Sequence, residues 1–199
     1  MKAQKFFITG LPRSRTAWLS TFFSTGQAIC YHEPTVGMSD ITELPSVFDT
    51  ETYKYVGVCD SGIGFFAEWI LENIQPRTLI VERDPSEVYA SIVQMGLKTT
   101  RAELNYLASE LKKFQSHPLV LWVPFEALNT KRVMQKIFWH LLPGMAFDET
   151  RYEELSRFNI EVIPSIAFAD AAKYQREAAS LFRNVRPVLR EKASDERLH

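Results

Sequence analysis

The sequence lacks most of the features that mark secreted, membrane-spanning or nucleic-acid-coating proteins. It has only two cysteines, Cys30 and Cys59, and neither lies at a spacing typical of zinc ligands. No apolar run approaches the roughly 20 residues of a membrane-spanning helix, and the first residues have no uninterrupted signal-peptide core. The net charge of −1 is too balanced for broad binding of polyanions. We therefore expect a cytoplasmic protein with buried free thiols, no transmembrane segment and no nucleic-acid partner.

The sequence does contain an alternation of strand-like and helix-like segments. Apolar runs typical of buried parallel strands lie at residues 4–9, 53–59, 77–82 and 118–124, with a shorter extended piece at 29–34. Segments with helical spacing begin near Thr16, residue 62, Pro85, Thr100 and Thr130, and a further helix is expected at 170–184. This alternation predicts an α/β fold with a central parallel sheet flanked by helices on both faces.

The chain is expected to form a single domain over residues 1–199, because no repeat or low-complexity segment divides it. Residues 35–51 have no clear period and are predicted to form a loop or lid, and the charged tail from about residue 188 is expected to fray. Asp84 and Thr100 each precede a Glu by three residues, which predicts a capping box at two helix starts.

The turn at residues 10–16 joins the first strand to the first helix and is rich in hydrogen-bond donors. In a parallel α/β sheet, anions bind at this position because the helix presents free N–H groups. Gly10 allows a tight turn, the amides of Ser14 to Ala17 could surround a phosphate, and the Ser14 and Thr16 hydroxyls and the Arg13 guanidinium add donors. The alternative is a surface turn whose arginines are solvated.

The turn departs from the phosphate loop of nucleotide kinases and GTPases. That loop follows the pattern G-x-x-x-x-G-K-[ST], in which the Lys binds phosphate and the hydroxyl holds magnesium. Counting from Gly10, this chain has Arg15 at the second glycine and Thr16 and Ala17 at the last two positions. The sequence therefore disfavours nucleoside triphosphate chemistry.

Two segments resemble the sulfotransferases that use 3′-phosphoadenosine 5′-phosphosulfate (PAPS). "PRSRTAWL" at 12–19 is similar to their P-[KR]-S-G-T-T-W-L segment, and "VERDPSEVYASI" at 81–92 is similar to their R-[ND]-P-x-[DE]-x-x-x-S segment. A weaker similarity covers residues 119–144. The resemblance implies the P-loop NTPase-like sulfotransferase fold, PAPS as sulfuryl donor, 3′,5′-bisphosphoadenosine (PAP) as product, and no requirement for a metal.

The resemblance also implies which residues bind the nucleotide. Arg83 and Ser91 match the positions that hold the 3′-phosphate, while Arg13 matches the cation that stabilises charge on the bridging oxygen of the 5′-phosphosulfate. The matched phosphate-binding positions are Arg13, Ser14, Arg15, Thr16, Ala17, Arg83 and Ser91. The structural alternative is that Arg83 only pairs with Glu87 at the start of a helix and that Ser91 is an ordinary helical serine.

Arg15 stands where the family has a glycine that lets the backbone approach the phosphate closely. Its guanidinium is expected to lie along the rim of the cleft and face an anionic acceptor. A solvated side chain and an additional phosphate clamp are the alternatives.

Sulfuryl transfer also needs a base that takes the proton of the acceptor. Glu33, in "YHEP", resembles the "EP" element of carbohydrate-type and bacterial sulfotransferases, where the Glu is the base. His32 and Asp60 are the other candidates, because imidazole titrates near neutral pH and Asp60 lies before Arg83 at the spacing of the base in cytosolic members. The acceptor would be the hydroxyl or amine of a small molecule, sugar or lipid. A P-loop kinase and a non-catalytic nucleotide-binding protein stay open as alternatives, as does the oligomeric state.

Overall fold

A computed structural model describes residues 3–35 and 38–158 of the chain. Within them, five strands form one sheet in the order β2-β3-β1-β4-β5, and every neighbouring pair is parallel. The strands are β1 Gln4–Gly10, β2 Ala28–His32, β3 Tyr55–Cys59, β4 Arg77–Glu82 and β5 Val120–Pro124. The predicted α/β fold with a central parallel sheet is therefore confirmed.

Helices follow the strands, as the crossover between parallel strands requires. The α-helices of the described residues are α1 Thr16–Phe23, α2 Ala67–Asn73, α3 Pro85–Gln94, α4 Arg101–Lys112, α5 Lys131–Leu141 and α6 Glu149–Leu155. Shorter 3-10 helices lie at Ile41–Phe48, Gly62–Phe66 and Phe125–Asn129. No helix of the described residues is long and apolar enough to cross a membrane.

The two faces of the sheet bury separate apolar cores. Because successive side chains of a strand point to opposite faces, Phe6 and Ile8 pack against α1 and α5, while Phe7 packs against α2 and the Ile41–Phe48 helix. The helices α3 and α4 cover the rest of that second face beside Ile80. The helices therefore flank the sheet on both faces, as the sequence predicts.

The segment predicted as a loop or lid at 35–51 contains the 3-10 helix Ile41–Phe48. Asp40 caps it by accepting from the Thr42 N–H, and Glu43 completes a capping box. Leu44 and Phe48 are buried against the sheet. A single 3-10 helix of eight residues is too short to give a clear helical period of apolar residues, so the sequence did not reveal it. The prediction of a loop or lid was therefore wrong for Ile41–Phe48.

Other predictions at helix ends have mixed outcomes. Thr100 and Glu103 form the predicted capping box. Asp84 caps α3 through the Ser86 N–H, but Glu87 does not complete a box, because its carboxylate lies 3.7 Å from Arg83 Nε.

The helix α6 was not predicted, and the helix expected at 170–184 and the tail from 188 lie outside the described residues.

Candidate nucleotide and acceptor site

The turn between β1 and α1 contains two residues in the left-handed region. Arg13 has a φ of 66° and Arg15, the N-cap of α1, a φ of 60°. Each such residue costs roughly 1 kcal/mol when it is not glycine. Backbone strain of this kind concentrates at functional sites, where the surrounding structure holds it in place.

Ser14 lies between the two arginines and is completely buried. Its hydroxyl has no hydrogen-bond partner among the described residues. A buried hydroxyl without a partner costs roughly 1–3 kcal/mol, so the turn is more stable when an acceptor reaches Ser14. An anion at the N-terminus of α1 provides such an acceptor.

Gly10 has a different role from the one expected for it. A Cβ at this position would lie 2.5 Å from the carbonyl oxygen of Val81, its partner in β4. The glycine is therefore required by the close approach of β1 and β4, which brings the turn next to the end of β4.

The structure brings Arg13, Arg83 and Ser91 together. Arg13 Nε donates to the Ser91 hydroxyl over 3.2 Å, and the Arg83 guanidinium donates to the Arg13 carbonyl. The Arg83 guanidinium also lies over the Phe125 ring, 4.1 Å from its centroid. Its Nε is buried and has no hydrogen-bond partner within the described residues, although the Glu87 carboxylate is near. Two cations and a hydroxyl from three elements therefore converge at the carboxyl ends of β1 and β4.

Arg15 points toward the β5 edge of the sheet. Its Nη1 donates to Asn129 Oδ1 over 2.7 Å, and its guanidinium lies 5.2 Å from the centroid of the Trp18 ring. Asn129 ends the 3-10 helix that follows β5, whereas the base candidates follow β2 and β3 on the other side of β1. Arg15 therefore lies on the side of β1 away from the base candidates, and the expectation that it faces the acceptor stays a prediction.

The base candidates meet on the β2–β3 side of the turn. His32 ends β2, and its Nε2 lies 3.3 Å from the Thr16 hydroxyl at the start of α1 and 4.0 Å from Glu33 Oε1. Burial lowers the pKa of His32, and the negative charge of Asp60 partly opposes this shift. Both His32 and Glu33 keep about a fifth of their side-chain surface exposed, 23% and 22%, so each is accessible from solvent.

Asp60 follows β3 and is buried, with 2% of its surface exposed. Its carboxylate accepts from the Thr35 hydroxyl over 2.5 Å and from the Gly62 N–H over 2.8 Å. Burial raises the pKa of Asp60 to about 6, against the lowering effect of these hydrogen bonds.

Both cysteines are free and buried, as predicted. The Cys59 thiol donates to the Thr16 carbonyl over 3.2 Å, and burial raises its pKa well above the ordinary value. Cys59 therefore supports the start of α1 as a neutral thiol.

Sequence reasoning missed three residues that hold this site. Asn129 binds Arg15, Thr35 binds Asp60, and Arg151 of α6 donates to the carbonyls of Thr21 and Ser24 at the end of α1. A cation at the C-terminus of a helix is a known stabilising pattern, but Arg151 belongs to another helix, so local sequence gave no signal for it.

Comparison with solved structures finds sulfotransferases. The mouse sulfotransferase SULT7A1, solved in complex with PAP, superposes with a TM-score of 0.53 at 13% identity, covering 77% of this chain and 63% of that one. A sulfotransferase from Alicyclobacillus acidocaldarius has a TM-score of 0.49 at 15% identity, covering 88% of this chain and 100% of that one. The chain thus spans less than two thirds of the mouse protein. No protein-family model and no curated protein sequence matches it. At this level of identity the superposition on the mouse protein establishes the fold alone, and the chain has the sulfotransferase fold.

Proposed function

We propose that this chain transfers a sulfuryl group from PAPS to a hydroxyl or amine of an acceptor. The observation that supports the proposal best is the convergence of Arg13, Arg83 and Ser91 beside the buried, unpartnered hydroxyl of Ser14. A nucleotide with a 3′-phosphate and a 5′-phosphosulfate needs two neighbouring anion sites, and this convergence lies at the edge of the sheet where such ligands bind.

The residues present fit such a nucleotide. The Ser14 hydroxyl and the first amides of α1 can donate hydrogen bonds to a 5′-phosphate, while Arg83 and Ser91 can bind a 3′-phosphate. Arg13 links the two sets of residues, because it precedes Ser14 in the chain and its side chain donates to Ser91. When bound, PAPS supplies the activated sulfuryl group.

Glu33 is the proposed base. It lies after β2, across the turn from Arg13, and its carboxylate is partly exposed. A base on this side of β1 would receive the proton of an acceptor hydroxyl or amine as the acceptor attacks in line. Arg13 and the α1 amides would stabilise the charge that develops on the leaving bridging oxygen.

Calorimetric titration with PAP tests the nucleotide site. Replacing Arg13 or Arg83 with Ala should weaken PAP binding by about tenfold to a hundredfold, as expected for loss of a hydrogen bond to a charged group. Arg77→Ala is the matched control, because Arg77 begins β4 at the opposite end of the sheet and contacts the His140 carbonyl. The Arg83 variant should also lose the preference for PAP over adenosine 5′-phosphate.

Unchanged PAP affinity in both variants would refute the proposal. Tighter binding of MgATP than of PAP by the wild-type protein would favour a kinase. Binding of PAPS without turnover of any acceptor, in a panel of phenols, amines, sugars and lipids, would indicate a non-catalytic binding protein.

A further inference from the structure

The Asp60 carboxylate is bound by the protein itself. It accepts hydrogen bonds from the Thr35 hydroxyl and from the Gly62 N–H. Asp60 is buried, with 2% of its surface exposed, so an incoming acceptor molecule cannot reach its carboxylate as it can reach the partly exposed carboxylate of Glu33.

These bonds connect Asp60 to the turn that contains Glu33. Glu33 adopts a φ of 48°, in the left-handed region, and its N–H donates to the Cys59 carbonyl. Thr35, two residues later, is held by Asp60. The turn from Glu33 to Thr35 is therefore fixed at both ends to the end of β3, and this fixation maintains a backbone conformation that a glutamate rarely adopts.

We infer that Asp60 is a positioning residue, whose buried carboxylate holds the turn of Glu33 and places a negative charge beside the Glu33–His32 pair. The inference deepens the proposed function and rests on it, because it gives Glu33 the role of base and removes Asp60 from that role. A negative charge next to a base increases its affinity for a proton.

The titratable groups around Asp60 support this role. Glu33 and His32 face it from the end of β2, and the Cys59 thiol precedes it on β3. The other two neighbours provide backbone groups, since the Ile8 carbonyl of β1 accepts from the Asp60 N–H and Gly62 donates from the following 3-10 helix. The charge of Asp60 raises the pKa of His32, and the charge of Glu33 raises that of Asp60.

Titration of the His32 imidazole by NMR tests the inference in the full-length protein. Asp60→Asn keeps the shape of the side chain but removes its charge, so the pKa of His32 should fall below its wild-type value. Thr35→Val leaves the carboxylate but removes a hydrogen bond that lowers its pKa, so the pKa of His32 should fall by less than in Asp60→Asn. His140 is an internal control, because its pKa depends on burial and on the Thr78 and Leu119 carbonyls. His32→Asn identifies the resonance.

An unchanged His32 pKa in folded Asp60→Asn protein would overturn the inference. A larger fall in Thr35→Val than in Asp60→Asn would also overturn it, because the shift would then follow from movement of the turn and not from the charge. The titration needs neither nucleotide nor acceptor. Failure of the wild-type protein to bind PAP would therefore refute the proposed function and leave this result interpretable.

Discussion

Replacing Arg15 with glycine distinguishes the energetic cost of the backbone conformation in the turn between β1 and α1 from the contribution of the Arg15 side-chain contacts. Glycine relieves the left-handed strain at a φ of 60°, by about 1 kcal/mol, and enlarges the entropy of the unfolded chain. The same change removes the hydrogen bond to Asn129 and the contact with the Trp18 ring. Exposed contacts of these two kinds are worth about 0.5–1 kcal/mol each.

Gln75 provides a matched control for the backbone contribution. It has a φ of 54°, its side chain is exposed, and that side chain makes no hydrogen bond within the described residues. Gln75→Gly should therefore change the free energy of unfolding through the backbone alone, by relief of the left-handed strain and the larger entropy of the unfolded chain. We expect Arg15→Gly to be less stable than Gln75→Gly by about 1–2 kcal/mol, which is a difference of about 2–8 °C in Tm for a chain of this size.

Urea unfolding and thermal unfolding of the two variants measure this difference. Asn129→Ala should cost most of what the Arg15 side chain contributes through its hydrogen bond, and the double variant Arg15→Gly/Asn129→Ala should show that the two losses are not additive. Equal stability of the Arg15→Gly and Gln75→Gly proteins would refute the reasoning, since the Arg15 contacts would then contribute nothing.

Two further predictions concern stability. The folded-state pKa of Asp60 is about 6 and its ordinary value is 3.8, so between these values the folded protein binds the proton that the unfolded chain releases. The stability of the wild-type protein should therefore fall as pH rises through this window. Because Asp60→Asn has no carboxyl to titrate, its free energy of unfolding relative to wild type should rise by about 3 kcal/mol from below pH 4 to above pH 6, as measured by urea unfolding. A constant difference between the two proteins would contradict this. Arg151→Ala should lower stability by about 1–3 kcal/mol, because the last carbonyls of α1 lose their donors, and an unchanged Tm would show that solvent replaces Arg151 without loss.

The sequence predicts the parts of the structure that depend on local signals. The apolar run ending at Gly10 and the helical spacing from Thr16 place the turn correctly, and Thr100 caps its helix as predicted. The Asp84 box failed because Glu87 has a stronger partner nearby, the guanidinium of Arg83. Local spacing cannot show which of two partners a side chain takes.

Contacts between distant segments lie beyond this reasoning. The partner of Arg15 is Asn129, 114 positions away, and only the order of the strands brings the two together. The same holds for Thr35 and Asp60, since nothing in either local sequence indicates that the Thr35 hydroxyl would donate a hydrogen bond to the Asp60 carboxylate. The base candidates could be named from the sequence, but their different exposures follow from packing.

The position of β1 in the middle of the sheet has a consequence for how the sequence of such a protein can diverge between relatives. The proposed base and its supports come from residues 28–66, on the side of β2 and β3, whereas Arg83 and Ser91, proposed for the 3′-phosphate, come from residues 77–94. The two sets are separate contiguous stretches of chain, and His32 and Ser91 contact the turn before α1 from opposite sides of β1. On the proposed assignment, exchange of the first stretch between relatives would replace the base and its supports and leave the residues proposed for the nucleotide intact.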